Sequence, residues 1–148
     1  MAPGQKDEKT RIILDAVRKI LAQKGYMATT INLVAAEAGV SRGLLHYYFK
    51  NKEEMLARVI KENMQVSMEM IRAVFRDHDT PAGYAKGITD LLRQVMSLDP
   101  DFFHLFFEGL AVARQSAVVK GELISLYGQF RSALEQCLVD AVKGGILS

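Results

Sequence analysis

The chain predicts an all-α fold, and three observations carry that expectation. Apolar residues recur at spacings of three and four along the whole length. No stretch alternates apolar and polar residues as a half-buried strand does. The prolines are Pro3, Pro81 and Pro100, and the last two stand where helices begin rather than inside periodic stretches.

Taken in order, the first helix is expected over about Lys6 to Lys24, burying Ile13, Val17, Ile20 and Leu21. Gly25 supplies its left-handed stop. After a short connection, Tyr26 to Thr29, a brief second helix runs from about Thr30 to Ala38. Gly39-Val40 makes a tight turn, and Ser41 is a good N-cap for an equally short third helix ending near Phe49. Asn51 caps the fourth helix, with Glu54 three residues on in a capping-box arrangement. Thr80-Pro81 and Asp99-Pro100 repeat one device, opening a fifth helix to about Leu98 and a sixth to near Gln115. A seventh carries Leu123, Tyr127, Phe130, Leu134 and Leu138 and stops at Gly144-Gly145.

A length of 148 residues with 49% apolar content suits one domain, or a small module joined to a larger one. The balance argues against disorder, and no apolar run approaches the ~20 residues that span a bilayer. The polar start from Met1 to Arg11 is unlike a secretory signal, so a cytoplasmic location is expected, with no membrane partner. Cys137 stands alone and can form neither an internal disulfide nor a cysteine metal cluster. The net charge of +2 hides an asymmetry. Through Glu62 eleven Lys and Arg face seven Asp and Glu, whereas from Asn63 onward eight face ten. A basic first half hints at a polyanionic partner there.

Two short helices around Ala38-Gly39-Val40-Ser41 form a helix-turn-helix pattern. Glycine permits positive φ at the turn, Val40 buries beneath it, Ala35 allows close approach and Leu45 anchors the second helix. In this motif the second helix enters the major groove.

The run from Thr29-Thr30 through Ala38-Gly39-Val40-Ser41 and Gly43-Leu44-Leu45-His46-Tyr47-Tyr48-Phe49 to Lys52-Glu53 resembles the TetR family signature. Ile13 to Ala16 and Gly25-Tyr26 fit its first helix, so the likeness covers about Thr10 to Leu56. The resemblance implies a DNA-binding transcriptional regulator, most often a repressor that leaves its operator when a small ligand binds. It implies a three-helix DNA-binding domain over residues 1–50 and a helical ligand-binding and dimerisation domain over 51–148, joined through helix 4. It sets Thr30 and Asn32 against the phosphate backbone, with Ser41 at the start of the reading helix. Arg42 takes a base-reading position and Gly43 permits close approach. His46, where tyrosine is commoner, and Tyr47 face bases and phosphates, Tyr48 offers a phosphate-contacting hydroxyl, and Lys52 pins the backbone. A cation in a helix's first turn opposes the helix dipole, which points independently to an anionic partner for Lys52 and Arg42. Lys6, Lys9 and Arg11 are further candidates for phosphate.

The partners implied are an operator duplex, a second copy of the chain and a small hydrophobic or aromatic effector. Ligand binding would shift helix 4 and move the two heads off the ~34 Å spacing of successive major grooves. Met68, Phe75, Met96, Phe103, Phe106, Phe107, Tyr127 and Phe130 are the expected lining of an adaptable apolar cavity. The competing reading of the same residues is a packed bundle core. The chain is short for this family, so either it is cut short or dimerisation uses other surfaces, such as helices 6 and 7. An alternative function is a helical ligand-binding or interaction protein whose head no longer binds DNA. His46, His78 and His104 are scattered, Asp77-His78-Asp79 reads as a solvated loop, and no phosphate loop, nucleophile elbow or zinc pattern occurs. No enzyme, cofactor or metal is expected.

Overall fold

The computed structural model describes residues 3–98 and 100–147, and for residues 3–7, 95, 98 and 100–103 the backbone alone. It contains α1 (Pro3–Ala28), α2 (Ile31–Glu37), α3 (Arg42–Tyr48), α4 (Lys52–Asp77), α5 (Pro81–Leu98), α6 (Pro100–Ala113) and α7 (Ala117–Lys143), with no strand among the described residues. The side chains of Lys6, Phe102 and Phe103, and Asp99 of the second proline device, lie outside what is described.

The punctuation works as its chemistry requires. Gly25 breaks α1 at φ 74°, ψ 168°, and a last turn then runs on to Ala28. The Thr29 hydroxyl donates to the Gly25 carbonyl at 2.8 Å, taking up one of the carbonyls the break leaves free. Asn51 Oδ1 accepts from the Glu54 N–H at 2.9 Å, while Glu54 Oε2 accepts from the Lys50 N–H at 2.8 Å. This reciprocal pairing fixes the start of α4. Thr80 Oγ1 accepts from Gly83 N–H at 3.1 Å and Ser116 Oγ from Val119 N–H at 3.3 Å, opening α5 and α7.

Two compact units emerge. The first comprises Met1–Ile60 and His104–Leu123, the second Lys61–Phe103 and Ile124–Ser148. The first unit thus includes the opening turns of α4, α6 from His104 onward and the start of α7. The physical reason is burial: Met55, Leu56, Val59 and Ile60 are as buried as Ile13, Val17 and Leu21 of α1, so the first turns of α4 complete that core. Leu105 and Val119 are buried too. A Cβ on Gly109 would lie 2.3 Å from Ile60 Cδ1, so only glycine admits so close an approach of α6 to α4.

The second unit buries Met68, Tyr84, Leu126 and Ala141, and Phe75 meets Tyr84 with ring centroids 4.8 Å apart. His78 Nδ1 lies 2.9 Å from the Val74 carbonyl, so the ring closes the end of α4 instead of standing free in a solvated loop. Among the described residues no group of three or more potential ligands could hold a metal. None of their helices is long and apolar enough to cross a membrane.

Candidate nucleic-acid interface

The helix-turn-helix is built from two short helices, each held by a side-chain cap. Thr30 Oγ1 accepts from the Leu33 N–H at 3.3 Å, and Ser41 Oγ from the Leu44 N–H at 3.1 Å. Thr30 and Ser41 are thus occupied as caps, as expected for Ser41, whereas Thr30 was expected inside the second helix. Gly39 turns between the helices at φ +63°. Val34, Ala35, Leu45 and Phe49 are buried, whereas Val40 is only half-buried.

With Leu45 at 0% exposure pinning one face of α3, the opposite face is dictated by helical geometry. Gly43, His46 and Tyr47 point out there, Tyr47 at 69% exposure, and Arg42 is exposed at the first position of the helix. Asn32 is exposed on α2. A Cβ on Gly43 would meet nothing nearer than Ser41 Oγ at 4.0 Å, and its φ is not positive. Nothing within the chain requires glycine there. Tyr48 is half-buried, its ring edge-on to Tyr47 at 5.3 Å, and its hydroxyl is buried without a hydrogen-bond partner.

Lys52 differs from expectation. Its ammonium donates to the carbonyls of Tyr26 at 3.0 Å and Met27 at 3.5 Å, and stands 4.2 Å from the centre of the Tyr26 ring. The conflict between a cation and a helix start is thus relieved inside the protein, by carbonyl oxygens and a π face. Tyr26 itself is held at three atoms. Its N–H donates to Glu108 of α6, its carbonyl accepts from Lys52, and its hydroxyl donates to Glu53 Oε1 at 2.8 Å. Burial, reinforced by the Glu53 hydrogen bond and charge, pushes the Tyr26 hydroxyl well above the ordinary tyrosine range. His104 Nε2 lies 3.5 Å from the other Glu108 oxygen. Glu108 thus serves the α1 break.

Charge sorts the surface further. In the first unit Arg18 pairs with Asp15 and Lys19 with Glu37. Lys9, Arg11, Lys24, Arg42, Lys50 and Arg58 meet no carboxylate among the described residues. In the second unit Arg72, Arg76, Lys86, Arg93 and Arg131 all have acidic neighbours within 4.0 Å. The excess positive charge of the first half is therefore uncompensated on its surface, as a polyanion-binding face requires. Arg58 was missed by sequence reading, because Glu54 and Glu62, four residues away on either side, make it read as an ordinary helix-surface ion pair.

The residues of the expected ligand lining are divided between the two units. Phe106 and Phe107 belong to the first unit, and Met68, Phe75, Met96, Tyr127 and Phe130 to the second. Phe107 at 63%, Met96 at 67% and Tyr127 at 69% exposure face outward. Periodicity shows which residues share a stripe, not which stripe turns inward. An open groove of about 640 Å³ in the second unit takes only Met68 from that set, beside Arg72, Ser125, Gly128, Gln129, Ser132, Ala133 and Gln136.

Residues 13–59 match the family described as bacterial regulatory proteins, tetR family. Over 76 residues the chain is 34% identical to the fatty acid metabolism regulator protein of Bacillus subtilis, covering 51% of this chain and 39% of that protein. The matched stretch is thus well under half of that relative's length. Over 144 residues the chain is 29% identical to the uncharacterized HTH-type transcriptional regulator YhgD of the same bacterium, covering 95% of this chain and 72% of the relative. The crystal structure of the Bacillus subtilis transcriptional regulator FadR in complex with stearoyl-CoA superposes with a TM-score of 0.75 at 20% identity, over 94% of this chain and 74% of that one. At that identity the likeness is one of fold.

Proposed function

We propose, from the match of residues 13–59 to the TetR family of bacterial regulatory proteins, that the chain is a sequence-specific DNA-binding transcriptional regulator of the cytoplasm. One observation carries the reading: α3 is anchored by fully buried Leu45 and presents Arg42, Gly43, His46 and Tyr47 at its surface. In this reading Arg42 reads a base edge, Gly43 lets the backbone close on the groove, and His46 and Tyr47 contact bases and phosphates. Thr30 and Ser41 present the backbone N–H groups that their caps order, Asn32 contacts phosphate, and Tyr48 offers its hydroxyl. Lys52 does two jobs: two of its three ammonium protons hold carbonyls, and the third reaches a phosphate.

The regulator acts as a repressor, binds a palindromic operator as a homodimer, and is released by an apolar small molecule. A relative named for fatty acid metabolism and a structural neighbour holding stearoyl-CoA support a long-chain acyl-CoA as the probe of choice. The chain acts by binding, without catalysis. Duplexes enriched from a random pool on the wild-type protein should share one palindromic sequence, and stearoyl-CoA should release them. Recovery of no common sequence would refute the operator reading. Retention of the duplex at saturating stearoyl-CoA would refute the effector class.

A further inference from the structure

A cavity of about 420 Å³ in the first unit is lined by Thr10 of α1, by Tyr47, Tyr48 and Phe49 at the end of α3, and by Arg58 of α4. We propose that this cavity seats a phosphate of the DNA backbone, with Arg58 as its cation. The inference rests on the DNA-binding reading and adds to it a contact from α4 beyond Lys52.

Three features converge. First, Tyr48 is one of the lining residues, and its buried hydroxyl has no hydrogen-bond partner among the described residues. Buried polar groups are nearly always satisfied, so this hydroxyl beside the cavity is a donor with capacity for a ligand oxygen. Second, none of the five lining residues is acidic, and Arg58 meets no carboxylate among the described residues. A guanidinium and a hydroxyl donor without a counter-anion form an anion seat, and the fork of an arginine suits the paired oxygens of a phosphodiester. Third, the cavity shares Tyr47 with the outward face of α3, so it opens at the surface beside the base-reading residues. Its volume far exceeds the ~30 Å³ share of one water, leaving room for a phosphodiester and its solvent.

The test is anisotropy of a labelled random-sequence duplex across a salt series, for wild type, Arg58→Gln, Arg58→Lys and Arg114→Gln. Each phosphate neutralised contributes about 0.9 to the log–log salt slope. Between about 50 and 200 mM salt the wild type should therefore lose about 3.5-fold more affinity than Arg58→Gln does. Arg58→Lys should restore the slope, and Arg114→Gln should keep it. Tyr48→Phe should weaken the wild type and add nothing to Arg58→Gln, since both donors act on one phosphate. Equal slopes for wild type and Arg58→Gln would overturn the assignment while leaving the DNA reading intact. A wild type that binds no duplex overturns both. Arg58-dependent quenching of tyrosine fluorescence by submillimolar inorganic phosphate, with no effect of Arg58→Gln on DNA, would make the cavity a small-anion site and overturn the DNA assignment.

Discussion

Replacing Gly25 by alanine tests how the first unit is fastened. Gly25 sits at φ 74°, ψ 168°, a region essentially reserved for glycine, where a side chain costs about 1–3 kcal/mol. A new Cβ there would also lie 3.1 Å from Glu108 Oε1, the atom that accepts the Tyr26 N–H. Moving that carboxylate forfeits a charged hydrogen bond worth about 1.5–3 kcal/mol, less whatever the flexible side chain recovers by re-aiming. The lower entropy of the unfolded alanine chain offsets about 0.4–1 kcal/mol. The net expectation is a loss of about 2–4 kcal/mol in urea unfolding, with an unchanged m-value. Gly25→Ala should also be non-additive with Glu108→Ala, because both disturb the Tyr26 N–H. A Gly25→Ala protein as stable as wild type would refute both the strain and the crowding argument.

Arg42→Ala should relax preference at one base pair by about 1–3 kcal/mol, read as competition between singly substituted operators. A uniform loss on every duplex would instead make Arg42 a phosphate ligand. Lys52→Ala should cost about 1–2 kcal/mol of stability through its lost carbonyl bonds, and should lower the salt slope by about one unit. Denaturation and binding report these separately, so a stability loss with an unchanged slope would confine Lys52 to its internal role. The raised Tyr26 hydroxyl gives an alkaline signature. The folded state keeps its proton where the unfolded chain loses it, so stability is full below about pH 10 and falls as pH rises beyond that value. Tyr26→Phe should flatten this fall in urea midpoints taken from about pH 8 to pH 11.

Local chemistry was the legible part of this chain. Caps such as Ser41, Asn51 and Thr80, and the breaks at Gly25 and Gly39, act within four residues, so sequence order contains their partners. The outward face of α3 was legible for the same reason: once Leu45 is inside, helical pitch turns Gly43, His46 and Tyr47 out, whereas Arg42 is exposed as the first residue of the helix. What distance in sequence conceals was not legible. The Glu108 bond to Tyr26 spans 82 residues, and the Lys52 bond to the same residue spans 26. Lys52 shows the cost of the gap, since its position against the helix dipole has an internal explanation as well as an anionic one. The apolar stripes were legible only in part. Met96, Phe107 and Tyr127 lie on proper helical stripes, but a stripe carries no label for inside, and the structure turns them out.

The bond between Tyr26 and Glu108 also orders events in time. At synthesis rates of ~5–20 residues per second, an acceptor 82 residues downstream reaches a nascent chain roughly 4–16 s after its donor. Until then the N–H beyond the Gly25 break has only water, and the Gly109 seat on Ile60 is vacant. The helix-turn-helix therefore leaves the ribosome before the groups that close its rear face exist. A polypeptide released after Ile60 would contain every proposed base-reading residue and still lack the α6 carboxylate that holds the end of α1 in place.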